Sequence, residues 1–237
     1  MNRIIGVVPK TVPFDPGKTN MDDLYYLGNN YTKRIAEAGG VPICVSPVDG
    51  LIDPAVLNLC DGFLAQGGQK MMPYHFQVIH HAVESGKKYL GICLGMQLLH
   101  RYFALRKFVE QNDQSCDILS KIIDLQFNKG VKCGRLEPIE GHRATSMPKG
   151  QENMAKHDVQ VVDGTLLHRV MGRNNVFCAT FHNWRVVDPV PELIVNAWAT
   201  DGSGTIEGIE YNDHILGVQF HPEVDDHLPE LFKFLCE

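Results

Sequence analysis

Along the first half of the chain, short apolar runs alternate with stretches of helical periodicity. Residues 3–8, 41–46, 62–65 and 88–92 read as strands, and residues 26–38, 55–60, 76–85 and 94–108 as helices. That alternation predicts a parallel sheet with helices on both faces, joined by right-handed crossovers. Ligands of such sheets bind outside the carboxyl ends of the strands. The second half is richer in short strands, at 158–162, 176–179, 193–199, 205–211 and 215–220. The last two are joined by the turn Asn212-Asp213-His214, which predicts a mixed or antiparallel extension of the sheet. Residues 226–236 read as a closing helix. Residues 107–120 and 128–151 are polar and irregular, and are expected to be mobile or to shape a substrate site. The expectation is one α/β domain over residues 1–237.

The strand at 88–92 stops at a glycine and runs into Gly91-Ile92-Cys93-Leu94-Gly95-Met96-Gln97. This is the G-x-C-x-G form of a nucleophile elbow, a sharp strand-to-helix turn. The glycines leave no Cβ to clash where the backbone doubles back. Cys93 stands at the tip, at the N-terminus of a helix, where the dipole and free N–H groups favour a thiolate. Most free cysteines are inert packing, but a packing cysteine has no need of a glycine two residues to either side.

A thiolate nucleophile needs a base and a group that orients the base. Near the C-terminus, Ile215-Leu216-Gly217-Val218-Gln219-Phe220-His221-Pro222-Glu223 ends another apolar strand at a histidine. Two residues along an extended chain return a side chain to the same face. Glu223 can therefore accept the imidazole N–H of His221 and fix its tautomer. Both groups fall at strand carboxyl ends. His75, His80 and His81 sit on a helix without converging carboxylates, so they are expected to be solvated rather than metal ligands. His142, beside Arg143 in a polar loop, is expected at the surface.

Together the Cys93 and His221 motifs resemble a class I glutamine amidotransferase domain, over nearly the whole chain. The segments Ile4-Ile5-Gly6-Val7, Ala38-Gly39-Gly40-Val41-Pro42, Asp61-Gly62-Phe63-Leu64, Gly67-Gly68, His157-Asp158-Val159, Gly164-Thr165-Leu166-Leu167 and Thr180-Phe181-His182 are similar to its gamma-glutamyl-gamma-aminobutyrate hydrolase branch. The resemblance implies a cysteine-dependent amidase that cleaves a gamma-glutamyl amide through a glutamyl thioester, with no cofactor and no metal. In that scheme Cys93, His221 and Glu223 are catalytic. The N–H groups of Gly68 and Leu94 form the oxyanion hole. Gln97, Thr180, Phe181 and His182 line the substrate pocket. Gln97 lies on the same helical face as Cys93, where an amide serves equally well to hold a neighbouring loop.

The sequence departs from that branch at two places. Gln69-Lys70-Met71-Met72-Pro73 follows the glycine pair where the branch carries an acidic residue and longer spacing, and Asn183-Trp184 follows His182 where it carries a second His and a Gln. The first departure bears on the particular substrate, the second on the leaving-group side. Two other readings stay open: a glutaminase subunit that delivers ammonia to a separate synthetase, and a non-catalytic protein that binds glutamyl ligands.

The chain has 237 residues, 44% of them hydrophobic and 21% charged, with a formal net charge of −6. That balance, without a long basic run, argues against nucleic acid and anionic membranes as partners. The expected ligand is a small-molecule gamma-glutamyl compound; a synthetase partner is not required, and a homo-oligomer is left open. The seven cysteines are an odd number with no C-x-x-C pair, which fits a reducing compartment. Met1–Val8 has too short an apolar run for a signal peptide and reads as the first strand, so a cytoplasmic location is expected.

Overall fold

The structure, a computed structural model, describes residues 2–12, 24–112, 117–142 and 155–237. The first half contains β1 (Ile4–Val8), β2 (Lys10–Val12), β3 (Leu24–Tyr26), α1 (Asn29–Glu37), β4 (Val41–Cys44), α2 (Pro54–Leu59), β5 (Gly62–Ala65), α3 (Pro73–Ser85), β6 (Lys88–Ile92) and α4 (Leu94–Asn112). It is followed by α5 (Ile118–Ile123), β7 (Leu136–Pro138), β8 (Ala155–Val161), α6 (Leu166–Met171), β9 (Asn175–Thr180), β10 (Trp184–Val186), β11 (Ile194–Ala199), β12 (Ile206–Tyr211), β13 (Ile215–Val218) and α7 (Glu230–Cys236). Among the described residues, nine strands form one sheet in the order β4-β1-β5-β6-β13-β12-β11-β8-β9. The strands from β4 to β13 are parallel, and β12, β11, β8 and β9 extend the sheet antiparallel. The predicted α/β architecture and its antiparallel extension are both present.

Side chains alternate along each central strand and so feed two cores, one on each face. Phe63, Tyr89, Ile209 and Ile215 pack with α2, α3, α4 and α5 on one face. Leu64, Leu90, Ile92, Leu216 and Val218 pack with α1, α6 and α7 on the other. Strands covered on both sides need near-continuous apolar sequence, which is why β5, β6 and β13 read as plain hydrophobic runs.

Several elements differ from the sequence expectation. The helix expected over 26–38 starts only at Asn29, because Leu24–Tyr26 pairs antiparallel with Lys10–Val12 as a small ribbon. The segment expected to be irregular from 107 to 120 is helical at both ends: α4 runs on to Asn112, and α5 begins at Ile118, where the Asp117 carboxylate accepts the Ser120 N–H at 3.0 Å. The helix α6 was not anticipated. Its start is fixed by Thr165, whose hydroxyl accepts the His168 N–H, and by buried Glu210, which accepts the N–H groups of Leu166 and Leu167 at 2.7 and 3.0 Å. Those are the orphan donors of a helix N-terminus. Residues 113–116 and 143–154, and with them Cys116, lie outside the described residues.

The elbow is held by backbone contact. A Cβ on Gly95 would stand 2.4 Å from the Ala65 carbonyl oxygen, and one on Gly91 would stand 2.6 Å from the Gly95 carbonyl. Gly95→Ala is expected to push α4 off β5 and to lower stability by about 1–3 kcal/mol, read as a lower midpoint in denaturant unfolding. A midpoint equal to wild type would show that the elbow is looser than this packing implies.

Candidate active site

Strand β6 lies parallel to β13 with Ile92 opposite Val218. The Cys93 N–H continues that ladder by donating to the Val218 carbonyl at 2.8 Å. The chain then turns into α4 with Cys93 at φ 53°, a left-handed conformation that costs a non-glycine residue of order 1–3 kcal/mol. Past β13 the chain crosses to β9, where the His221 N–H donates to the Ala179 carbonyl at 2.8 Å. Asp225 locks the crossing: its carboxylate accepts the Ala179 N–H at 2.7 Å and the Lys156 ammonium at 2.6 Å.

These connections bring Cys93, His221 and Glu223 together, each less than a tenth exposed. The imidazole Nδ1 of His221 and Oε1 of Glu223 are 2.7 Å apart. Nε2 of His221 has no well-formed hydrogen bond among the described residues, and the ring stands beside Cys93. A Cβ on Gly67 would fall 2.9 Å from the His221 Cε1 and 3.2 Å from the Cys93 Cβ. Burial alone would lower the imidazole pKa; the Glu223 carboxylate and the Cys93 sulfur outweigh it and hold the ring protonated well above its ordinary range. The Cys93 sulfur also lies 4.0 Å from the Phe181 carbonyl oxygen.

Gly67, Gly68, Cys93, Leu94, Gln97, Phe181, His182 and His221 all line one cleft of about 1190 Å³. Gly68 sits against Leu94: a Cβ there would be 3.1 Å from the Leu94 side chain. Gln97 holds a loop as well as facing the cleft, since its amide donates to the Trp184 carbonyl at 3.1 Å and to Gln219 at 3.0 Å. Thr180 does not line the cleft. It is buried behind the wall, with its hydroxyl directed at the His142 carbonyl.

Two expectations about histidines are corrected. His142 is buried, not at the surface, because Nδ1 meets His182 at 3.0 Å and Nε2 meets Asp201 at 2.8 Å. His75 is buried at the cleft rather than solvated. It accepts the Met72 N–H at 3.0 Å, and burial lowers its pKa to about 4. Its helix neighbour His80 is half-buried on the Tyr102 hydroxyl at 2.9 Å.

The sequence reading missed the residues around the pair. Tyr31 accepts the Gly67 N–H at 3.2 Å; burial, with the nearby Glu223 charge, raises its phenol well above the usual range. Lys10 lies 5.5 Å from the ring centres of both Tyr26 and Tyr31. Burial lowers its pKa, opposed by the charges of Glu223 and Cys93. Gln66 ties the glycine loop down by donating to the carbonyls of Val8 and Tyr26 at 2.9 and 3.1 Å. None of these residues stands in a spacing that marks it.

The sequence matches the class I glutamine amidotransferase family over residues 29–231, and the chain belongs to that family. Members of this class act on the side-chain amide of glutamine, a carbon–nitrogen hydrolysis. The glutamine amidotransferase-like protein RP404 of Rickettsia prowazekii is 29% identical, covering 99% of this chain and 96% of its own length. The CTP synthase of Thermosipho africanus is 24% identical over 98% of this chain, which spans 45% of that enzyme. The HisH subunit of imidazole glycerol phosphate synthase from Synechococcus elongatus is 27% identical over 84% of this chain and 83% of its own length. Among solved structures, the glutaminase domain of Trypanosoma brucei CTPS with bound acivicin has a TM-score of 0.65 at 19% identity, over 98% of this chain and 92% of its own. Among the described residues, no helix is long and apolar enough to cross a membrane.

Two histidines should titrate on opposite sides of the ordinary imidazole value. In a ring-nitrogen NMR titration His75 is expected to stay neutral down to about pH 4, while His221 stays protonated well above 6.5. Glu223→Gln removes a group that raises the His221 pKa, so its titration should move to lower pH. An unchanged or higher pKa in that variant would contradict the electrostatics of the pair.

Proposed function

We propose that this chain is a self-contained hydrolase of gamma-glutamyl amides whose amine portion is acidic. Cys93 attacks the gamma-carbonyl carbon, and the N–H groups of Gly68 and Leu94 stabilise the tetrahedral oxygen. His221, oriented by Glu223, gives its proton to the departing amine as the carbon–nitrogen bond breaks. A water then attacks the glutamyl thioester and loses a proton to His221. Glutamate leaves as the sulfur–carbon bond breaks, and the thiolate beside protonated His221 is restored. Gln97 and the backbone of Phe181–His182 hold the glutamyl end.

The cleft's charge carries the substrate assignment. Among the described residues, Lys10, Lys70, Arg101, Lys132 and Arg135 line it and no carboxylate does, in a chain of formal net charge −6. A cationic cleft with low-dielectric walls concentrates anions. Its volume, about 1190 Å³, exceeds the roughly 300–1,000 Å³ of ordinary small-ligand pockets, so it has room for more than glutamine. Lys70 lies within Gln69–Pro73, where the sequence departs from the gamma-aminobutyrate branch, and Lys132 lines the same cleft. The main alternative is a glutaminase subunit that passes ammonia to a synthetase. It is favoured by the similarity to HisH and to the CTP synthase glutaminase domain.

The two readings separate on the purified chain alone. Glutamine and gamma-glutamyl amides of neutral and acidic amines are supplied, and glutamate release is measured. Turnover without a partner is expected, with acidic amines preferred and activity reduced at least about a thousandfold in Cys93→Ala. The double variant Lys70→Ala/Lys132→Ala should raise KM for acidic substrates by about three- to fivefold, the scale of exposed charge contacts, and leave that for glutamine unchanged. A chain silent on every amide until a synthetase is added would establish the subunit reading instead.

A further inference from the structure

Behind the cleft wall, His142, His157, His182 and Glu207 converge from a loop, β8, the turn after β9, and β12. Glu207 is fully buried, and the side chains of His142 and His182 are at most 2% exposed. Their tautomers can be assigned from the groups they touch. Nε2 of His142 is 2.8 Å from the Asp201 carboxylate, and Nδ1 of His182 is 3.0 Å from the Trp184 carbonyl. Both partners only accept, so both of these nitrogens carry the hydrogen. In neutral rings the opposite nitrogens, Nδ1 of His142 and Nε2 of His182, then present lone pairs to each other at 3.0 Å. Each also lies 3.4 Å from Oε1 of Glu207. Three acceptor atoms thus face one another in the interior, all within 4.8 Å. Nε2 of His157 stands 3.6 Å from Oε2 of Glu207, and neither that nitrogen nor either carboxylate oxygen has a well-formed hydrogen bond among the described residues.

Such a cluster repels itself unless a cation sits within it. A single proton bridges one nitrogen pair. It leaves both Glu207 oxygens at contacts of 3.4 and 3.6 Å that are too long or misdirected to be hydrogen bonds. A tetrahedral metal with ligands about 2.0–2.1 Å away sets its ligand atoms about 3.3 Å apart, which is the spacing observed. Asp201 and the Trp184 carbonyl stand where the outer partners of metal-bound histidines stand, fixing the tautomer and turning the free lone pair inward. We propose that His142, His182 and Glu207 bind one first-row divalent cation of the Zn²⁺ type, with His157, whose Nε2 stands 3.6 Å from Oε2 of Glu207, completing the set by a small shift toward it. Imidazole and carboxylate donors suit such an ion. A buried set of protein ligands behind the cleft wall gives it a structural role. It would clamp the loop at His142 to the cleft wall, since the His182 N–H donates to the His142 carbonyl at 3.0 Å.

The test uses the full chain with Cys93→Ala, which removes a competing thiolate ligand. Chelator-stripped protein is titrated with Zn²⁺ and separately with Co²⁺, reading bound metal per chain, the visible absorption of Co²⁺, and thermal unfolding. One equivalent is expected, with the intense absorption of tetrahedral Co²⁺ free of thiolate bands and a higher Tm on loading. Asp201→Asn, at a half-exposed position outside the ligand set, should weaken Zn²⁺ binding by about 10–100-fold. Glu207→Gln should abolish the tetrahedral spectrum. Weak or octahedral Co²⁺ absorption in the parent chain, or Zn²⁺ binding unchanged in both variants, would overturn the proposal and leave a proton-sharing cluster. Because the parent spectrum decides alone, failure of Glu207→Gln to fold does not shelter the idea.

Discussion

The arrangement depends on one contact: the parallel pairing of β6 with β13 beneath α4. In that register Gly91 lies opposite Gly217. Side chains at these two positions would drive into α4, with a Cβ on Gly91 meeting Gly95 at 2.6 Å and one on Gly217 meeting Met96 at 3.1 Å. The glycine pair lets the helix settle directly on the sheet. Cys93 is thereby fixed at the helix start, while the neighbouring strand delivers His221 a few residues beyond its own end. A one-residue slip between the strands would turn every side chain of β13 to the other face, and the two functional groups would part. Strand register thus fixes the chemistry before any side chain is considered.

Electrostatics then decides the protonation state that this geometry holds. Removing an imidazolium and a carboxylate from water is expensive unless each finds a close partner. His221 and Glu223 are less than a tenth exposed and 2.7 Å apart, so their attraction outweighs the burial that would neutralise the ring. Lys10 and Tyr31 complete the surroundings. The ammonium supplies positive charge near Glu223 and Cys93, and the phenol holds Gly67 at the mouth of the pair. Gly67 is where a side chain would occupy the space between sulfur and imidazole, which explains why a glycine stands there better than turn chemistry does.

Much of this was legible in the sequence, for physical reasons. Strands such as Gly62–Ala65 and Lys88–Ile92, covered on both faces, announce themselves as apolar runs with bounds that match the structure. The elbow glycines and the His-Pro-Glu after β13 are local signals, readable within a few residues. What escaped were features made by distant contacts. The ribbon of Lys10–Val12 with Leu24–Tyr26 has no strong periodicity, and α6 is started by a carboxylate, Glu210, more than forty residues away. His142 looks like a loop histidine because its partners, Asp201, His182 and Glu207, lie in three other segments. Metal-type spacing reveals ligands that sit on one turn or hairpin; it has nothing to find when each ligand comes from a different element.

The same wall serves the cleft on one side and the buried histidines on the other. The Trp184 carbonyl is the shared point, accepting from the Gln97 amide at 3.1 Å and from Nδ1 of His182 at 3.0 Å. The orientation of Gln97 toward the cleft is therefore tied to the tautomer of His182, and that tautomer to whatever cation balances Glu207. If the His182 ring instead carried its hydrogen on Nε2, the carbonyl would lose a donor and the ring would turn a lone pair toward it. The Phe181–Trp184 segment, which sets the Phe181 carbonyl 4.0 Å from the Cys93 sulfur, would then lose one of its ties and keep those of the His182 N–H and the Asn183 carbonyl. The nucleophile's surroundings are thus tied, through the Trp184 carbonyl, to a charge balance struck on the far side of the wall.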